Sequence, residues 1–213
     1  MAGIASGGRA AASVAAALVL GAAGATQAVA APAGEERSTT AVGAQAVAAA
    51  EVDYDTWQSD VRKVIDEARP YVERRLDDSS GEKPAIVLDI DNTSLETHFQ
   101  PFPPTPAVEP TLELAQYAHG RGAAIFFVTA RPDLISWITE ANLKSVGYPV
   151  TGLHQRSLAD LFRDTAEFKT SKRAQIEADG YTIVANIGNN TSDLVGGHAE
   201  RTFKLPDYDG ALD

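Results

Sequence analysis

The sequence of 213 residues contains no cysteine. Disulfide bonds are therefore excluded, and so is the attachment of a lipid to a processed N-terminal cysteine. Any folded region of this chain has to depend on its apolar core. About 160 residues remain after the N-terminal stretch described below, which is enough for the core of one domain.

Basic residues are scarce. The sequence has 18 Lys and Arg residues and 29 Asp and Glu residues, which gives a formal net charge of −11. An acidic surface without a basic run argues against nucleic acid and anionic membranes as partners. The Gly-x-x-x-x-Gly-Lys loop that binds nucleotide phosphates is also missing from the sequence, which excludes a P-loop nucleotide hydrolase.

Charge is nearly absent from the first 30 positions, where Arg9 is the only charged residue. An uncharged, alanine-rich apolar run is followed by Ala28-Val29-Ala30, a small-residue cleavage pattern. We therefore expect residues 1–30 to be a secretory signal peptide, the mature chain to start near Ala31 and the protein to be secreted. A membrane anchor is less favoured, because the apolar run is short and rich in Ala and Gly.

Residues 31–50 have few large apolar groups, and we expect a disordered leader there. From residue 51 to residue 213 the pattern predicts one folded domain, in which apolar runs alternate with stretches of helical spacing. Trp57 is assigned to the core of that domain. The expected strands cover 85–90, 123–128, 150–153, 181–187 and 202–205, and the expected helices cover about 52–76, 110–119, 132–147 and 168–179. This alternation predicts an α/β fold, a doubly wound (Rossmann-like) parallel sheet flanked by helices.

Two carboxylates two positions apart, Asp89 and Asp91, follow the first apolar run. A run without alternation is typical of a strand that is buried on both faces of a parallel sheet. Side chains two apart in a strand point the same way, so both carboxylates would face one site, and their repulsion would favour a cation between them. The alternative is that both residues begin an ordinary turn with Asn92 and Thr93.

Polar residues also follow two later strands, at Thr129 and at Asn189 and Asp193, and Lys169 begins a helix between them. The carboxyl ends of parallel strands lie along one edge of a sheet, so these residues should converge on Asp89 and Asp91. Carboxylates, a hydroxyl and an ammonium together suit phosphoryl transfer, since a carboxylate can attack phosphorus while the other groups offset charge.

These motifs carry a resemblance that spans about residues 55–206. The chain resembles the haloacid dehalogenase (HAD) superfamily of phosphohydrolases. More narrowly, it is similar to the secreted acid phosphatase branch, subfamily IIIB, which includes plant acid phosphatases and vegetative storage proteins. The stretches that support the resemblance are 87–95, 129–132, 169–173, 186–188, 192–194 and 203–206.

The resemblance implies a role for each matching residue. Asp89 would be the nucleophile that forms a phospho-aspartate, and Asp91 would be the acid that protonates the leaving oxygen and then the base that activates water. Thr129 and Lys169 would hold the phosphoryl oxygens. The substrate would be a small-molecule phosphomonoester.

The resemblance also implies magnesium, held by the Asp89 carboxylate, the backbone carbonyl of Asp91, Asp193 and the residue at position 189. The family pattern has Asp directly after Gly188, and this chain has Asn189. An amide oxygen can still bind a metal ion, but one negative charge is missing, so the affinity for the metal should fall.

The other polar and aromatic residues near the motifs are interpreted one by one. Arg131 would either contact phosphate or form a surface ion pair, and Arg173 is interpreted as structural. His98 lies on a proline-rich loop where it could face the substrate. Phe99 and Phe102 would either form an apolar wall for the leaving group or anchor that loop.

The sequence is therefore compatible with three functions. The first is a secreted, magnesium-dependent phosphomonoesterase, and the second is a catalytically weakened binding or storage protein on the same fold. The third is a receiver domain, which also uses Asp, Thr and Lys, although its acidic pair precedes the acceptor strand. The insert between Thr93 and Pro110 is too short for a large cap domain, so an open site and broad or bulky substrates are expected.

Overall fold

A computed structural model describes residues 51–212. The predicted signal peptide at 1–30 and the predicted leader at 31–50 lie outside the described residues. The strands are β1 Pro84–Leu88, β2 Ala124–Pro132, β3 Gly152–Arg156, β4 Thr182–Gly188 and β5 Thr202–Lys204. The helices are α1 Tyr54–Asp77, α2 Glu109–Gly120, α3 Ser136–Ser145, α4 Thr165–Ala178 and α5 Thr191–Leu194, with short 3-10 turns at Asp133–Ile135 and Asp160–Phe162.

The five strands form one parallel sheet in the order β3-β2-β1-β4-β5. Strand β1 lies in the middle, where Val87 is in register with Phe126 on one side and with Asn186 on the other. All five residues of β1 are buried, because helices cover both faces of the sheet. This confirms the predicted doubly wound α/β fold. In such sheets the chain reverses its direction of winding beside the first strand, and the crevice at that point is where ligands bind.

Helix α1 begins where Asp53 caps it, since the Asp53 carboxylate accepts a hydrogen bond of 2.8 Å from the backbone N–H of Thr56. Its apolar residues recur every three or four positions and form one buried stripe that packs on the core: Trp57, Val61, Ile65, Ala68, Val72 and Leu76. The assignment of Trp57 to the core is confirmed. Within residues 51–212, no helix has the length and apolar character needed to cross a membrane.

Some element bounds differ from the sequence-based expectation. Strand β1 ends at Leu88, before Asp89, and β3 begins at Gly152. Helix α4 starts at Thr165, because the side chain of Asp164 accepts a hydrogen bond of 3.0 Å from the N–H of Glu167 and caps the helix. Lys169 therefore lies in the second turn of α4 and not at its start.

The connection between β1 and α2, residues 89–108, contains no helix and no strand of the sheet. Its backbone is pinned to the rest of the domain by two side chains. Asn142 on α3 donates to the carbonyl of Thr105 and accepts from its N–H, both at 2.8 Å. The buried hydroxyl of Tyr148 donates to the carbonyl of Ser94 at 3.0 Å. A long loop without secondary structure thus gains fixed partners for its backbone.

Asn142→Ala should destabilise the domain by about 1–3 kcal/mol, because a buried N–H and a buried carbonyl of Thr105 lose their partner together. Urea denaturation of the wild type and the variant measures this loss. Gln100→Ala in the same loop is the matched control, since Gln100 is exposed and its bond to Pro104 is open to water. We expect the control to change the unfolding free energy by less than about 0.5 kcal/mol, and equal losses in both variants would contradict the pinning role of Asn142.

Candidate active site

A cavity of about 480 Å³ lies at the carboxyl edge of the sheet. It is lined by residues from the ends of β1, β2 and β4, from α4 and α5 and from the last residues described: Asp89, Asp91, Ala130, Thr165, Lys169, Asn189, Asn190, Ser192, Asp193 and Leu212. The structure therefore brings together both carboxylates of the first motif, the lysine of α4 and the polar residues that follow β4.

The Lys169 ammonium lies between two buried carboxylates. It donates a hydrogen bond of 2.6 Å to Asp89 Oδ1 and a shorter one to Asp193 Oδ1. Burial alone would lower the pKa of Lys169, but the charges of Asp89 and Asp193 outweigh it and raise that pKa to about 12. Burial raises the pKa of Asp89, and the Lys169 ammonium opposes this rise. The lysine is therefore charged at any physiological pH and compensates the two acids.

Asp91 has a separate cationic partner. The Arg131 guanidinium donates from Nη2 at 2.7 Å and from Nε at 3.1 Å, so both carboxylate oxygens of Asp91 are engaged. Burial would raise the pKa of Asp91, but the hydrogen bonds and charge of Arg131 outweigh it and hold that pKa below its usual value. The ion pair predicted as one alternative for Arg131 exists, and it is half-buried beside the cavity that Asp91 lines.

Thr129 lies in β2, two residues before Arg131, and is fully buried. Its hydroxyl oxygen accepts a hydrogen bond of 3.2 Å from the N–H of Arg131. A second hydroxyl, that of Ser94, donates at 2.6 Å to the backbone carbonyl of Asp89. The first bond fixes the backbone at Arg131, and the second fixes the backbone at Asp89, two residues before Asp91.

The loop after β4 holds Asp193 in place. A Cβ atom at Gly188 would overlap the side chain of Asp193, so only glycine allows this approach. The fully buried guanidinium of Arg173 donates to the carbonyl of Asp193 at 2.6 Å and to that of Gly197 at 2.9 Å. Asn186 donates to the same Asp193 carbonyl at 2.8 Å. The structural role predicted for Arg173 is confirmed.

Asn189 is buried and its side chain has two protein partners. Its Oδ1 accepts a hydrogen bond of 3.0 Å from the Thr93 hydroxyl, and its Nδ2 donates to the carbonyl of Leu212 at 3.2 Å. Asn92 donates to the same Leu212 carbonyl at 2.7 Å. Sequence reasoning gave Asn92 only the role of a turn former and gave Leu212 no role, since a bond between a side-chain amide and a distant backbone carbonyl leaves no pattern in the sequence.

The oxygen atoms implied as metal ligands are hard donors of the kind that suits a divalent cation. Among residues 51–212, however, no three His, Cys, Asp or Glu side chains form a group that would hold a metal ion. The reason is that position 189 supplies an amide and the Asp91 carboxylate binds Arg131. Two carboxylates with amide and backbone carbonyl oxygens still fit a cation that keeps several of its waters, with less negative charge than three carboxylates provide.

The proline-rich loop contributes differently from residue to residue. His98 is exposed, and its backbone N–H donates to Asn92 Oδ1 at 2.7 Å. The ring of Phe99 packs at 4.9 Å from the rings of both Tyr54 and Trp57. Phe99 therefore anchors the loop to α1, whereas Phe102 is 79% exposed and anchors nothing within the described part of the chain.

Comparisons with known proteins agree with this geometry. A family model described as HAD superfamily, subfamily IIIB (Acid phosphatase), matches residues 12–100 and 104–211. The Stem 28 kDa glycoprotein of Glycine max is 38% identical over 105 residues, which cover 47% of this chain and 41% of that protein. Acid phosphatase 1 of Solanum lycopersicum is 31% identical over 103 residues, covering 47% and 40%. The chain thus matches about two fifths of the length of these curated relatives.

A solved structure, the class C acid phosphatase from Bacillus anthracis, shares the fold with a TM-score of 0.58 and 18% sequence identity. The likeness covers 75% of this chain and 83% of that one. Because the family match extends over most of the sequence, the chain belongs to the HAD superfamily, subfamily IIIB (acid phosphatase).

Proposed function

We propose that the protein is a secreted, magnesium-dependent acid phosphatase that hydrolyses small-molecule phosphomonoesters through a phospho-aspartate intermediate. The observation that carries this proposal is the division of the two acids between two cations. Asp89 lies against the buried Lys169 ammonium, and Asp91 lies across the same cavity, bound by Arg131. Membership of the family removes the receiver domain from the alternatives.

In the first step, a carboxylate oxygen of Asp89 attacks phosphorus. The bond from phosphorus to the leaving oxygen breaks as the acyl phosphate forms, and Asp91 gives a proton to the leaving oxygen. Because Arg131 holds the pKa of Asp91 below its usual value, Asp91 has to take up that proton first, and low pH favours this. In the second step, Asp91 takes a proton from water, the water oxygen attacks phosphorus, and Asp89 leaves as a carboxylate with release of inorganic phosphate. Lys169 and the Thr129 hydroxyl are the groups proposed to hold the phosphoryl oxygens.

A magnesium ion would be held by the carboxylates of Asp89 and Asp193, the backbone carbonyl of Asp91 and the amide oxygen of Asn189. When bound, it would neutralise charge on the transferring phosphoryl group. The carbonyl oxygen of the Asn189 amide has a second lone pair beyond the one that Thr93 uses, so a ligand role at position 189 is compatible with its hydrogen bonds.

Bulky or apolar leaving groups are the proposed substrate class. Among residues 51–212, five large apolar side chains are more than 70% exposed, and all follow the carboxyl ends of β1, β2 and β3, in the loops, the short 3-10 turns or the first turn of α3: Phe102, Leu134, Trp137, Leu158 and Phe162. Exposed large apolar side chains on one edge of a domain favour a binding surface there. Their placement at the site edge favours phosphomonoesters with an aryl or other apolar leaving group.

A catalytically weakened binding or storage protein is the second candidate. One residue favours it, since Asn189 removes a carboxylate from the implied metal site. Two relatives, the stem glycoproteins of Glycine max at 28 and 31 kDa, have names that state no catalytic activity. The retained Asp89, Asp91 and Lys169 and their arrangement in one cavity favour the enzyme.

Asp89→Asn should lower the turnover of 4-nitrophenyl phosphate in the presence of magnesium by about a thousandfold or more, because it removes the nucleophile and keeps its shape. Steady-state assays, with circular dichroism as a check on folding, measure the effect. Asp66→Asn makes the same chemical change on the exposed face of α1 and should leave the rate unchanged. A folded Asp89→Asn variant that keeps a tenth of the wild-type rate would refute the covalent mechanism, and an inactive wild type would favour the storage protein.

Asn189→Asp should tighten magnesium binding about tenfold. An anion placed about 4 Å from the cation gains roughly 1–4 kcal/mol before desolvation and carboxylate repulsion are subtracted, which leaves the low end of that range. Magnesium titration by calorimetry and by activity provides two independent readings. Equal half-saturation in both forms would place residue 189 outside the metal shell.

The protein isolated from the culture medium should begin near Ala31. Removal of the predicted signal peptide would leave a chain whose net charge is −12, because Arg9 is the only charge lost. Intact-mass measurement of the secreted form tests this, and a secreted chain that retains residues 1–30 would contradict it.

A further inference from the structure

The residues after β5 fold back onto the loops that follow β1 and β4. We call residues 206–212 the C-terminal segment. Positive φ angles at Tyr208, Asp209 and Gly210 turn the chain, and the N–H of Leu212 then donates to the carbonyl of Asp207 at 3.2 Å. Leu212 is 1% exposed, belongs to the main apolar core and also lines the same cavity as Asp89 and Asp91. The end of the described chain is therefore a wall of the site.

Two buried amides converge on a single atom of this segment, the carbonyl oxygen of Leu212. Asn92 Nδ2 donates to it at 2.7 Å and Asn189 Nδ2 at 3.2 Å. The oxygen of each amide accepts a hydrogen bond from the loop that follows β1. Asn92 Oδ1 accepts from the N–H of His98, and Asn189 Oδ1 accepts from the hydroxyl of Thr93. The two side chains thus connect the C-terminal segment to the loops that follow β1 and β4.

The other end of the segment is held independently. Lys204 donates to Asp207 Oδ2 at 2.6 Å and also to the backbone carbonyl of Asn189. The hydroxyl of Tyr208 donates to Asp60 on α1 at 2.9 Å. The C-terminal segment therefore has hydrogen bonds to β5, to α1 and to the loops that follow β1 and β4. These bonds fix the position of Leu212.

An amide at position 189 is required for this arrangement. A carboxylate is acceptor-only when ionised, so Asp at 189 could not donate to the Leu212 carbonyl and would place a negative charge against it. The residue that departs from the family pattern is the same residue that makes this contact.

We propose that Asn92 and Asn189 tether the C-terminal segment, and that the tethered Leu212 side chain limits the size of the leaving group that the site accepts. Asn189 is in this sense a positioning residue, and Leu212 is a specificity-determining residue. The role of the tether in selectivity rests on the proposed phosphatase function, whereas the tether itself does not.

Hydrogen–deuterium exchange in EDTA tests the tether without activity or metal. Asn189→Asp should speed exchange in the peptide that covers residues 206–212 by about tenfold or more, because a donor is lost and like partial charges meet. Peptides from β1 and β4 should exchange as in the wild type. Thr191→Asp is the matched control, since it adds the same charge on an exposed residue two positions further on, at the start of α5. Unchanged exchange in Asn189→Asp, or equal acceleration in both variants, would overturn the tether.

Leu212→Ala tests the wall while leaving the backbone carbonyl and both amides in place. The ratio of kcat/KM for 4-methylumbelliferyl phosphate to that for glycerol 2-phosphate should rise at least about fivefold, because room opens beside the leaving group. Leu76→Ala is the control for lost stability, since Leu76 is a buried core residue in the last turn of α1, beside the amino ends of the strands.

A ratio in Leu212→Ala that equals the wild-type value, or an equal rise in Leu76→Ala, would overturn the role of Leu212 as a wall. If the wild type hydrolyses neither phosphate, the proposed function fails instead. The exchange measurement then still decides whether the tether exists.

Discussion

The buried ammonium of Lys169 between two buried carboxylates is the interaction on which the rest of the site depends. Asp89 follows β1, Asp193 lies in α5, and the lysine comes from α4, so one cation joins three elements that are far apart in sequence. Without this ammonium, two carboxylates that are buried away from water would repel each other. An unpaired buried charge costs about 3–5 kcal/mol. Neighbouring residues hold Lys169, Asp89 and Asp193 in this arrangement. Gly188 leaves room for the Asp193 side chain, and Arg173 holds the Asp193 backbone.

A second consequence is that the two carboxylates two positions apart occupy different electrostatic surroundings. The buried environment raises the pKa of Asp89, while Arg131 holds the pKa of Asp91 below its usual value. This order is the reverse of what the proposed roles need, since the nucleophile has to be ionised and the acid has to be protonated. Those roles therefore require a bound substrate and cation that lower the pKa of Asp89, and a proton that displaces Arg131 from Asp91. The sequence spacing alone suggested that both would face one cation, and the structure shows instead that Arg131 binds the carboxylate of Asp91.

Much of this could be predicted from the sequence. Buried parallel strands are continuous apolar runs, and their carboxyl ends share an edge, so the convergence of Asp89, Lys169 and Asp193 follows from topology. The start of α4 was misplaced because a single side chain, Asp164, decides it. The contacts of Leu212 could not be predicted, since Asn92 donates to its backbone carbonyl across 120 positions. A backbone carbonyl is present in every residue, so neither composition nor periodicity marks such a partner.

The departure at position 189 illustrates why a motif residue has to be interpreted with its neighbours. Considered alone, Asn189 is a lost carboxylate and therefore a weaker metal site. In the fold, the same amide both accepts from Thr93 and donates to Leu212, and no ionised carboxylate can do both. Lys169 already balances much of the negative charge of the two remaining acids, so a third carboxylate would add repulsion as well as affinity for a cation. An amide at 189 keeps an oxygen that accepts from Thr93 and places a donor against the C-terminal segment. Under the two proposals made above, Asn189 exchanges charge at the implied metal position for order in the wall of the cavity.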